Sequence, residues 1–249
     1  MVNLTINGTE VAAEDGTTIL QAATSRGIEI PTLCHHEGLP AYGACRICIV
    51  EVCMHGWTRF ETACTRQVEE GMSVQTDSDT VRQYRKLTAE LLLARCPDAP
   101  RVQELARRLG VEAPRFAALN EDCVLCGLCV RACQDAIGAS AISFHNRGME
   151  RKVAAPMVLD TGACVGCGAC AQVCPTNAIR IEDRDGRRYL RYFGTELELA
   201  QCTECGVSFA SKRFIESTNR EVPPSASTAC LCPKCRREKI ARSLKAYVG

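Results

Sequence analysis

The stretch that organises this chain is Cys123-Val-Leu-Cys126-Gly-Leu-Cys129-Val-Arg-Ala-Cys133, which recurs downstream as Cys164-Val-Gly-Cys167-Gly-Ala-Cys170-Ala-Gln-Val-Cys174. Both runs have the spacing C-x2-C-x2-C-x3-C. Small or apolar residues separate the first three cysteines of each run, so three thiols can converge from one tight loop without side-chain clash. The fourth cysteine belongs to the helix expected after each loop. The duplication therefore predicts two similar metal-binding loops.

This spacing is that of the bacterial ferredoxin motif for a [4Fe–4S] cluster, in which the fourth cysteine ligates the neighbouring cluster. The expected ligands are Cys123, Cys126, Cys129 and Cys174 for the first cluster, and Cys133, Cys164, Cys167 and Cys170 for the second. Structural zinc also uses four thiolates per site, but it leaves the strict repetition of the spacing unexplained. We therefore expect this region to carry electrons.

The composition restricts the class of protein. Cysteine accounts for 19 of the 249 residues, which indicates either a disulfide scaffold or a metal protein. The N-terminal residues lack the pattern of a secretory signal, and no apolar run approaches the roughly 18 residues of a membrane span. We therefore expect a cytoplasmic protein without direct membrane insertion, in which clustered cysteines bind metal. The 30 Lys and Arg residues balance the 29 Asp and Glu residues, so no nucleic-acid partner is expected.

Residues 1–78 have the pattern of a β-grasp fold. The predicted strands are Val2–Ile6, Thr9–Ala12, Ile47–Val52 and Met72–Thr76. Asn7-Gly8 is a type I′ hairpin signal between the first two strands. Thr18 and Gln21 have the spacing of a capping box before a short apolar helix. A hairpin, a helix and then a cysteine-containing loop is the order in which a β-grasp ferredoxin begins.

Four cysteines of this region have the spacing Cys34-x10-Cys45-x2-Cys48-x15-Cys64. This is the plant-type [2Fe–2S] arrangement with a longer first gap. The close pair is expected to bind one side of the cluster, and the loop cysteine and the distant cysteine complete it. Cys53 is left over and is interpreted as a small buried hydrophobe.

The segments around these ligands, Pro31-Thr-Leu-Cys34-His-His, Gly43-Ala-Cys45-Arg-Ile-Cys48 and Ala63-Cys64-Thr, resemble a known family. They are similar to the N-terminal iron–sulfur module of the large iron–sulfur subunit of NADH dehydrogenases, of [FeFe]-hydrogenases, and of the diaphorase parts of NAD-linked hydrogenases and formate dehydrogenases. The resemblance runs from residue 1 to roughly residue 182 and includes the twin ferredoxin motif. It implies an oxidoreductase complex in which catalytic or flavin subunits are the partners.

The sequence departs from that family after a helix predicted from an Asp79 N-cap to Ala94. Its apolar side is expected to consist of Val81, Tyr84, Leu87, Leu91 and Leu92. Members of the family usually continue with a His-x3-Cys-x2-Cys-x5-Cys run that binds a further [4Fe–4S] cluster. Here only Cys96 follows, so we expect that cluster to be absent and Cys96 to be a structural thiol. A second amphipathic segment at Arg101–Leu109 completes a helical linker.

The C-terminal region contains another group of cysteines. Cys202 and Cys205 form one C-x2-C knuckle, and Cys232 and Cys235 form a second. Such paired knuckles fit a zinc ribbon, with Cys230 as a spare thiol. The alternative is a third [4Fe–4S] cluster, although the three-cysteine loop of ferredoxins is missing.

The fold class expected from these patterns is α+β, in four segments. They are a [2Fe–2S] ferredoxin-like domain (1–78), a helical linker (79–117), a two-[4Fe–4S] ferredoxin domain (118–184) and a cysteine-rich zinc-ribbon-like tail (185–249). Short strands are expected in the third segment at Ala141–Phe144, Val153–Leu159 and Ile179–Glu182.

The function favoured by the sequence is electron transfer within a soluble multi-subunit oxidoreductase linked to NADH, hydrogen, formate or an aldehyde. The chain has no G-x-G-x-x-G run after a strand, so an NAD or flavin site of its own is not expected. Substrate conversion is therefore assigned to another subunit. The alternatives are a free polyferredoxin that shuttles electrons, and an iron–sulfur redox sensor.

Overall fold

The computed structural model describes residues 1–155, 162–221 and 230–248, and the chain divides into two compact units. The first unit is Met1–Arg131 with Cys174–Ala178, and the second is Ala132–Val173 with Ile179–Gly249. Among the described residues, no helix is both long and apolar enough to cross a membrane.

The first unit is built on a mixed five-stranded sheet. Its strands are β1 (Val2–Ile6), β2 (Thr9–Ala13), β3 (Ile49–Met54), β4 (Trp57–Thr62) and β5 (Ser73–Gln75). The order is β2-β1-β5-β3-β4; β1 and β5 are parallel, and the other neighbours are antiparallel. Helix α1 (Ile19–Ser25) packs its apolar side on the core of this sheet. This is the arrangement expected of a β-grasp, and β4 is a strand that the sequence patterns did not predict.

The local signals at the start of the chain are confirmed. Asn7 and Gly8 have φ of 51° and 79°, the positive values that a type I′ turn requires at both central positions. The capping box also forms, because Thr18 N donates to Gln21 Oε1 at 2.9 Å and Gln21 N donates to Thr18 Oγ1 at 3.3 Å.

Helix α2 (Asp79–Arg95) and helix α3 (Pro100–Arg108) pack on each other in the first unit. The predicted N-cap of α2 is wrong: Ser78 is the cap, and its hydroxyl accepts from Val81 N at 3.3 Å and donates to Glu51 at 2.6 Å. A serine hydroxyl in the cap position satisfies a free helix N–H, whereas Asp79 is the first helical residue.

The predicted apolar face of α2 is correct at Val81, which is buried, but wrong at most of its other positions. Tyr84, Leu87 and Leu91 are exposed, and the buried face carries Arg85 and Glu90 beside smaller apolar residues. The helix packs on β3 and α3 with this face, so tertiary contacts override the apolar periodicity. Two buried charged residues are the consequence.

A short helix, α4 (Leu128–Arg131), ends the main part of the first unit, and a π-helical turn (Ala132–Ala136) begins the second. The second unit has a two-stranded sheet of β6 (Ser143–His145) and β7 (Lys152–Ala154). Strand β7 covers the start of the predicted strand Val153–Leu159, and residues 156–159 lie outside the described residues.

An antiparallel four-stranded sheet follows the second cysteine run. It consists of β8 (Ile181–Arg184), β9 (Arg187–Leu190), β10 (Thr195–Gln201) and β11 (Ser208–Ser211) in the order β11-β10-β9-β8. The remaining helices are α5 (Ala169–Gln172), α6 (Lys212–Glu221) and α7 (Pro233–Val248). The expected boundary between residues 184 and 185 falls in the turn of the β8–β9 hairpin, and the four-segment division stays a prediction.

Candidate metal centres

The structure brings together the four cysteines predicted to hold a [2Fe–2S] cluster. Cys45 and Cys48 precede β3, Cys64 follows β4, and Cys34 lies on the loop after α1; all four are buried. Cys45 N donates to Cys34 Sγ at 3.5 Å. Backbone N–H donation to a sulfur is one of the interactions by which a protein tunes an iron–sulfur cluster.

The thiols of this group are also close enough to hydrogen-bond one another. Donation from the Cys45 and Cys64 thiols holds the pKa of Cys34 far below its usual value. Donation from Cys64 likewise lowers the pKa of Cys48 to about 7. The same hydrogen bonds raise the pKa of the two donors, Cys45 and Cys64, above the usual value of a thiol. Because the thiolate is the form that binds metal, binding of a cluster by all four side chains would also remove the protons of Cys45 and Cys64.

Cys123, Cys126 and Cys129 of the first run share the first compact unit with Cys174. Burial raises the pKa of Cys126 to about 12, and the sulfurs of Cys123, Cys174 and Cys34 contribute to the rise. Cys174 therefore lies near enough to act on Cys126 electrostatically. Leu125 N donates to Cys123 Sγ at 3.4 Å.

The remaining cysteines line one cavity in the second unit. Its lining contains Cys133, Cys164, Cys167 and Cys170. The other lining residues are Ala139, Ala141, Ile142, Val165, Gly166, Gly168, Ala169, Leu190 and Phe193. Four thiols in an otherwise apolar cavity are the donor set and environment of a [4Fe–4S] cluster.

The electrostatics agree with this grouping. Burial raises the pKa of Cys170 to about 12, with further contributions from the sulfurs of Cys167, Cys164 and Cys133. Ala141 N donates to Cys133 Sγ at 3.2 Å. These observations favour the exchange of the fourth ligand between the two runs, and the ligand sets themselves stay a prediction.

The two loops share an unusual backbone. Leu125 and Gly127 in the first loop have φ of 56° and 73°, and the equivalent Gly166 and Gly168 have φ of 67° and 85°. A Cβ on Gly166 would overlap Leu197 Cδ1 and lie 3.1 Å from Ser211 Oγ. The second loop therefore needs glycine for its close approach to the sheet as well as for its backbone conformation.

The sheet of β8–β11 holds the second loop through its carbonyl groups. Arg188 Nη1 donates to Gly166 O at 2.6 Å, and Ser211 Oγ donates to Val165 O. Ser211 and Leu197 are buried. The cysteine spacing carried no signal of this support, because the contacts come from residues well downstream of the motif.

The C-terminal cysteines converge as well. The Sγ atoms of Cys202, Cys205, Cys232 and Cys235 all lie within 4.8 Å of one another, and Cys205 Sγ is 3.8 Å from Cys232 Sγ. Cys232 N donates to Cys202 Sγ at 3.3 Å, which lowers the pKa of Cys202 to about 6. The structure thus contains a compact four-thiol group at this end of the chain.

The two C-x2-C knuckles of this group lie in different secondary structure. Cys202 and Cys205 lie in the connection between β10 and β11, whereas Cys232 and Cys235 lie at the start of α7. Cys230 is exposed and outside the group. One knuckle therefore joins two strands and the other begins a helix.

Two further cysteines were interpreted as structural. Cys96 is buried, and burial raises its pKa to about 12, which favours the neutral thiol. The interpretation of Cys53 as a buried hydrophobe is wrong: it is exposed on β3. Strand alternation places it on the outer face, beside the buried Val52.

Comparison with known families finds two domains. Residues 1–79 match the 2Fe-2S iron-sulfur cluster binding domain, and residues 122–178 and 163–211 match the 4Fe-4S dicluster domain. The chain thus carries both types of iron–sulfur domain that its cysteine spacing predicts.

Curated relatives share sequence with most of the chain. It is 33% identical over 204 residues to the NADPH-Fe(3+) oxidoreductase subunit alpha of Geobacter sulfurreducens, covering 72% of this chain and 24% of the relative. It is 32% identical over 211 residues to the NADP-reducing hydrogenase subunit HndD of Solidesulfovibrio fructosivorans, covering 72% and 36%.

A mitochondrial protein is also similar. The chain is 30% identical over 180 residues to the NADH-ubiquinone oxidoreductase 78 kDa subunit of Candida albicans, covering 61% of this chain and 25% of the relative. The chain therefore spans about a quarter to a third of the length of these three relatives.

A solved structure is also similar to this chain. The crystal structure of NAD+-reducing [NiFe]-hydrogenase in the H2-reduced state contains a chain with 29% identity and a TM-score of 0.56, covering 62% of this chain and 74% of that one. The resemblance to iron–sulfur subunits of NADH dehydrogenases and hydrogenases is confirmed.

The exchanged ligands can be tested by replacing the fourth cysteine of each run. We expect Cys174→Ser to damage the cluster held by Cys123, Cys126 and Cys129, and Cys133→Ser to damage the other one. Each variant should lose about four irons, the content of one [4Fe–4S] cluster. Iron analysis and electron paramagnetic resonance of the anaerobic protein measure the losses. Damage from Cys174→Ser confined to the Cys164 cluster would contradict the exchange.

The close approach at Gly166 makes a second prediction. We expect Gly166→Ala to lower occupancy of the second cluster, since its Cβ displaces the buried Leu197 or the loop itself. The matched control is Gly186→Ala in the β8–β9 turn, where φ is also positive (72°) and no atom lies within 4 Å. The control should cost only about 1 kcal/mol of stability and keep its iron. Equal iron content in the two variants would show that the contact is unimportant.

Proposed function

We propose that this chain, which carries the iron–sulfur module shared by the NADH-ubiquinone oxidoreductase 78 kDa subunit and the NADP-reducing hydrogenase subunit HndD, is an electron-transfer subunit of a multi-subunit oxidoreductase. The observation that carries the proposal is the gathering of three separate thiol sets within ferredoxin-type domains. Its partners would be a catalytic or flavin subunit and a second redox protein. Cytoplasmic localisation is part of the proposal.

The cofactors proposed are one [2Fe–2S] cluster and two [4Fe–4S] clusters. Cys34, Cys45, Cys48 and Cys64 hold the first; Cys123, Cys126, Cys129 and Cys174 hold the second; Cys133, Cys164, Cys167 and Cys170 hold the third. Each cluster supplies a one-electron redox centre when bound. The side chains of this protein supply the thiolates and exclude water, and its backbone donates N–H groups to the ligand sulfurs.

Zinc is the ion proposed for the C-terminal group. Tetrahedral coordination with Zn–S bonds of about 2.3 Å separates neighbouring sulfurs by about 3.8 Å. Cys205 and Cys232 have this separation, and the whole group of Sγ atoms is compact. A [4Fe–4S] cluster binds each thiolate to a different iron and spreads the ligands more widely, so the compact group favours zinc over a third cubane. The zinc would be structural, because all four positions are thiolates.

The chemistry of substrate would belong to other subunits. The sequence has no phosphate-binding glycine motif after a strand. Whether the complex uses NADH, hydrogen, formate or an aldehyde is therefore decided by the catalytic partner.

The metal content of the anaerobically prepared protein checks the cofactor set. We expect about ten irons per chain, the sum of one [2Fe–2S] and two [4Fe–4S] clusters, and about one zinc. Cys205→Ser should remove the zinc and leave the iron. An iron content near fourteen without zinc would instead assign a third cubane to the C-terminal cysteines.

The division of labour predicts how the isolated chain responds to electron donors. Dithionite should reduce its clusters, whereas NADH, NADPH or formate alone should not, because the sequence has no G-x-G-x-x-G run after a strand to bind a nicotinamide or flavin cofactor. Adding the flavin or catalytic subunit should make reduction by its substrate fast. Rapid reduction of the pure chain by NADH would refute the assignment of catalysis to a partner.

A further inference from the structure

Arg131 connects the first cysteine run to the loop that carries Cys34. Its Nη2 donates to Cys34 O at 2.7 Å, its Nη1 donates to Pro40 O, and its guanidinium carbon lies 5.6 Å from the centre of the Tyr42 ring. The side chain is buried, and its Nε has no hydrogen-bond partner among the described residues. A positive charge is thus held against the backbone of an expected [2Fe–2S] ligand.

Arg85 places a second charge beside the same group of cysteines. It projects from the buried face of α2, and its Nη2 donates at 2.7 Å to the carbonyl oxygen of Ile49, the residue after Cys48. Its Nε is also buried, without a hydrogen-bond partner in the part of the chain that the structure describes. Burial lowers the pKa of Arg85, and the charges of Asp77 and Cys48 oppose that fall, but an arginine remains protonated in proteins.

Neither guanidinium forms an ion pair with a described residue, although the carboxylate of Asp77 acts on Arg85 from a greater distance. Among the described residues, no carboxylate oxygen lies within 4.0 Å of Arg85 or Arg131, whereas Arg188 beside the second [4Fe–4S] loop is paired with Asp183. A buried cation without a counter-charge is strongly unfavourable. An oxidised [2Fe–2S] cluster, counted with its two bridging sulfides and its four thiolate ligands, carries a net charge of about −2 and provides such a counter-charge.

We propose that the positive charges of Arg85 and Arg131 raise the reduction potential of the [2Fe–2S] cluster. The reduced cluster carries one more negative charge than the oxidised one, so a fixed cation nearby stabilises the reduced state more. The inference rests on the [2Fe–2S] ligand set of the proposed function. It adds that two unpaired buried cations decide how readily this cluster accepts an electron.

The expected size of the effect follows from Coulomb's law. One unit charge roughly 10 Å from the added electron, at an effective dielectric constant of about 20, changes the reduction equilibrium by about tenfold. A tenfold change corresponds to about 59 mV for a one-electron couple. Shifts of this size are measured readily.

The experiment is a redox titration of the full-length holoprotein, followed through the electron paramagnetic resonance of the [2Fe–2S] cluster. We expect Arg131→Gln and Arg85→Gln each to lower its midpoint potential by an amount equivalent to about tenfold. Arg131→Lys should restore most of the potential, because the charge remains. The matched control is Arg82→Gln, one turn from Arg85 on α2, where the arginine is exposed and paired with Asp77 and Asp79; it should leave the potential unchanged.

The sign of the shift separates this role from a structural one. A variant that only loosens the site admits water, which favours the more highly charged reduced cluster and raises the potential. A raised or unchanged midpoint in both glutamine variants, or an equal fall in Arg82→Gln, would overturn the proposal. If Arg131→Gln does not retain its cluster, the midpoint potentials of Arg85→Gln and Arg131→Lys test the proposal instead. Wild-type protein without a [2Fe–2S] signal would refute the ligand assignment instead.

Discussion

The constraint on which this structure depends is that several cysteine sulfurs, which must be thiolates to bind metal, converge in a buried space. Burial and the proximity of other sulfurs raise the pKa of both Cys126 and Cys170, so neither site favours thiolates by itself. Metal binding removes the thiol protons and supplies the missing positive charge. The fold contributes what metal cannot, namely backbone N–H groups aimed at sulfur and loops that hold the ligands at the required separation. Under the proposed ligand sets, folding and cluster binding would for this reason be coupled.

The two cysteine runs meet this constraint with the same backbone but different neighbours. Leu125 accepts a positive φ in the first loop, where the second loop has Gly166. The difference follows from the surroundings, because Leu197 and Ser211 leave no room for a side chain at Gly166. The sheet after the second run is thus part of that cluster's support, which agrees with the extension of the dicluster match to residue 211.

The sequence predicted the features that depend on residues close together along the chain. The hairpin at Asn7-Gly8, the capping box at Thr18 and the compact C-terminal thiol group depend on spacing and were recognised from it. The buried face of α2 and the position of Cys53 depend on which surface meets a distant strand, and both predictions were wrong. Arg131 was missed for the same reason: its partners are 91 and 97 residues away in sequence.

The arginines bonded to the cysteine loops show why a cysteine motif predicts the type of cluster but not the fixed charges around it. Arg95 donates to Cys123 O at 2.7 Å, and Arg188 donates to Gly166 O, so every predicted cluster loop has a guanidinium on one of its carbonyl groups. Arg188 is neutralised by a two-point contact with Asp183, and its field at the cluster is correspondingly weakened. Arg131 has no carboxylate partner among the described residues, so its field at the cluster is not weakened in this way. Sites with similar thiolate ligands therefore experience different fixed charges, and the order of their potentials depends on residues that the cysteine spacing does not contain.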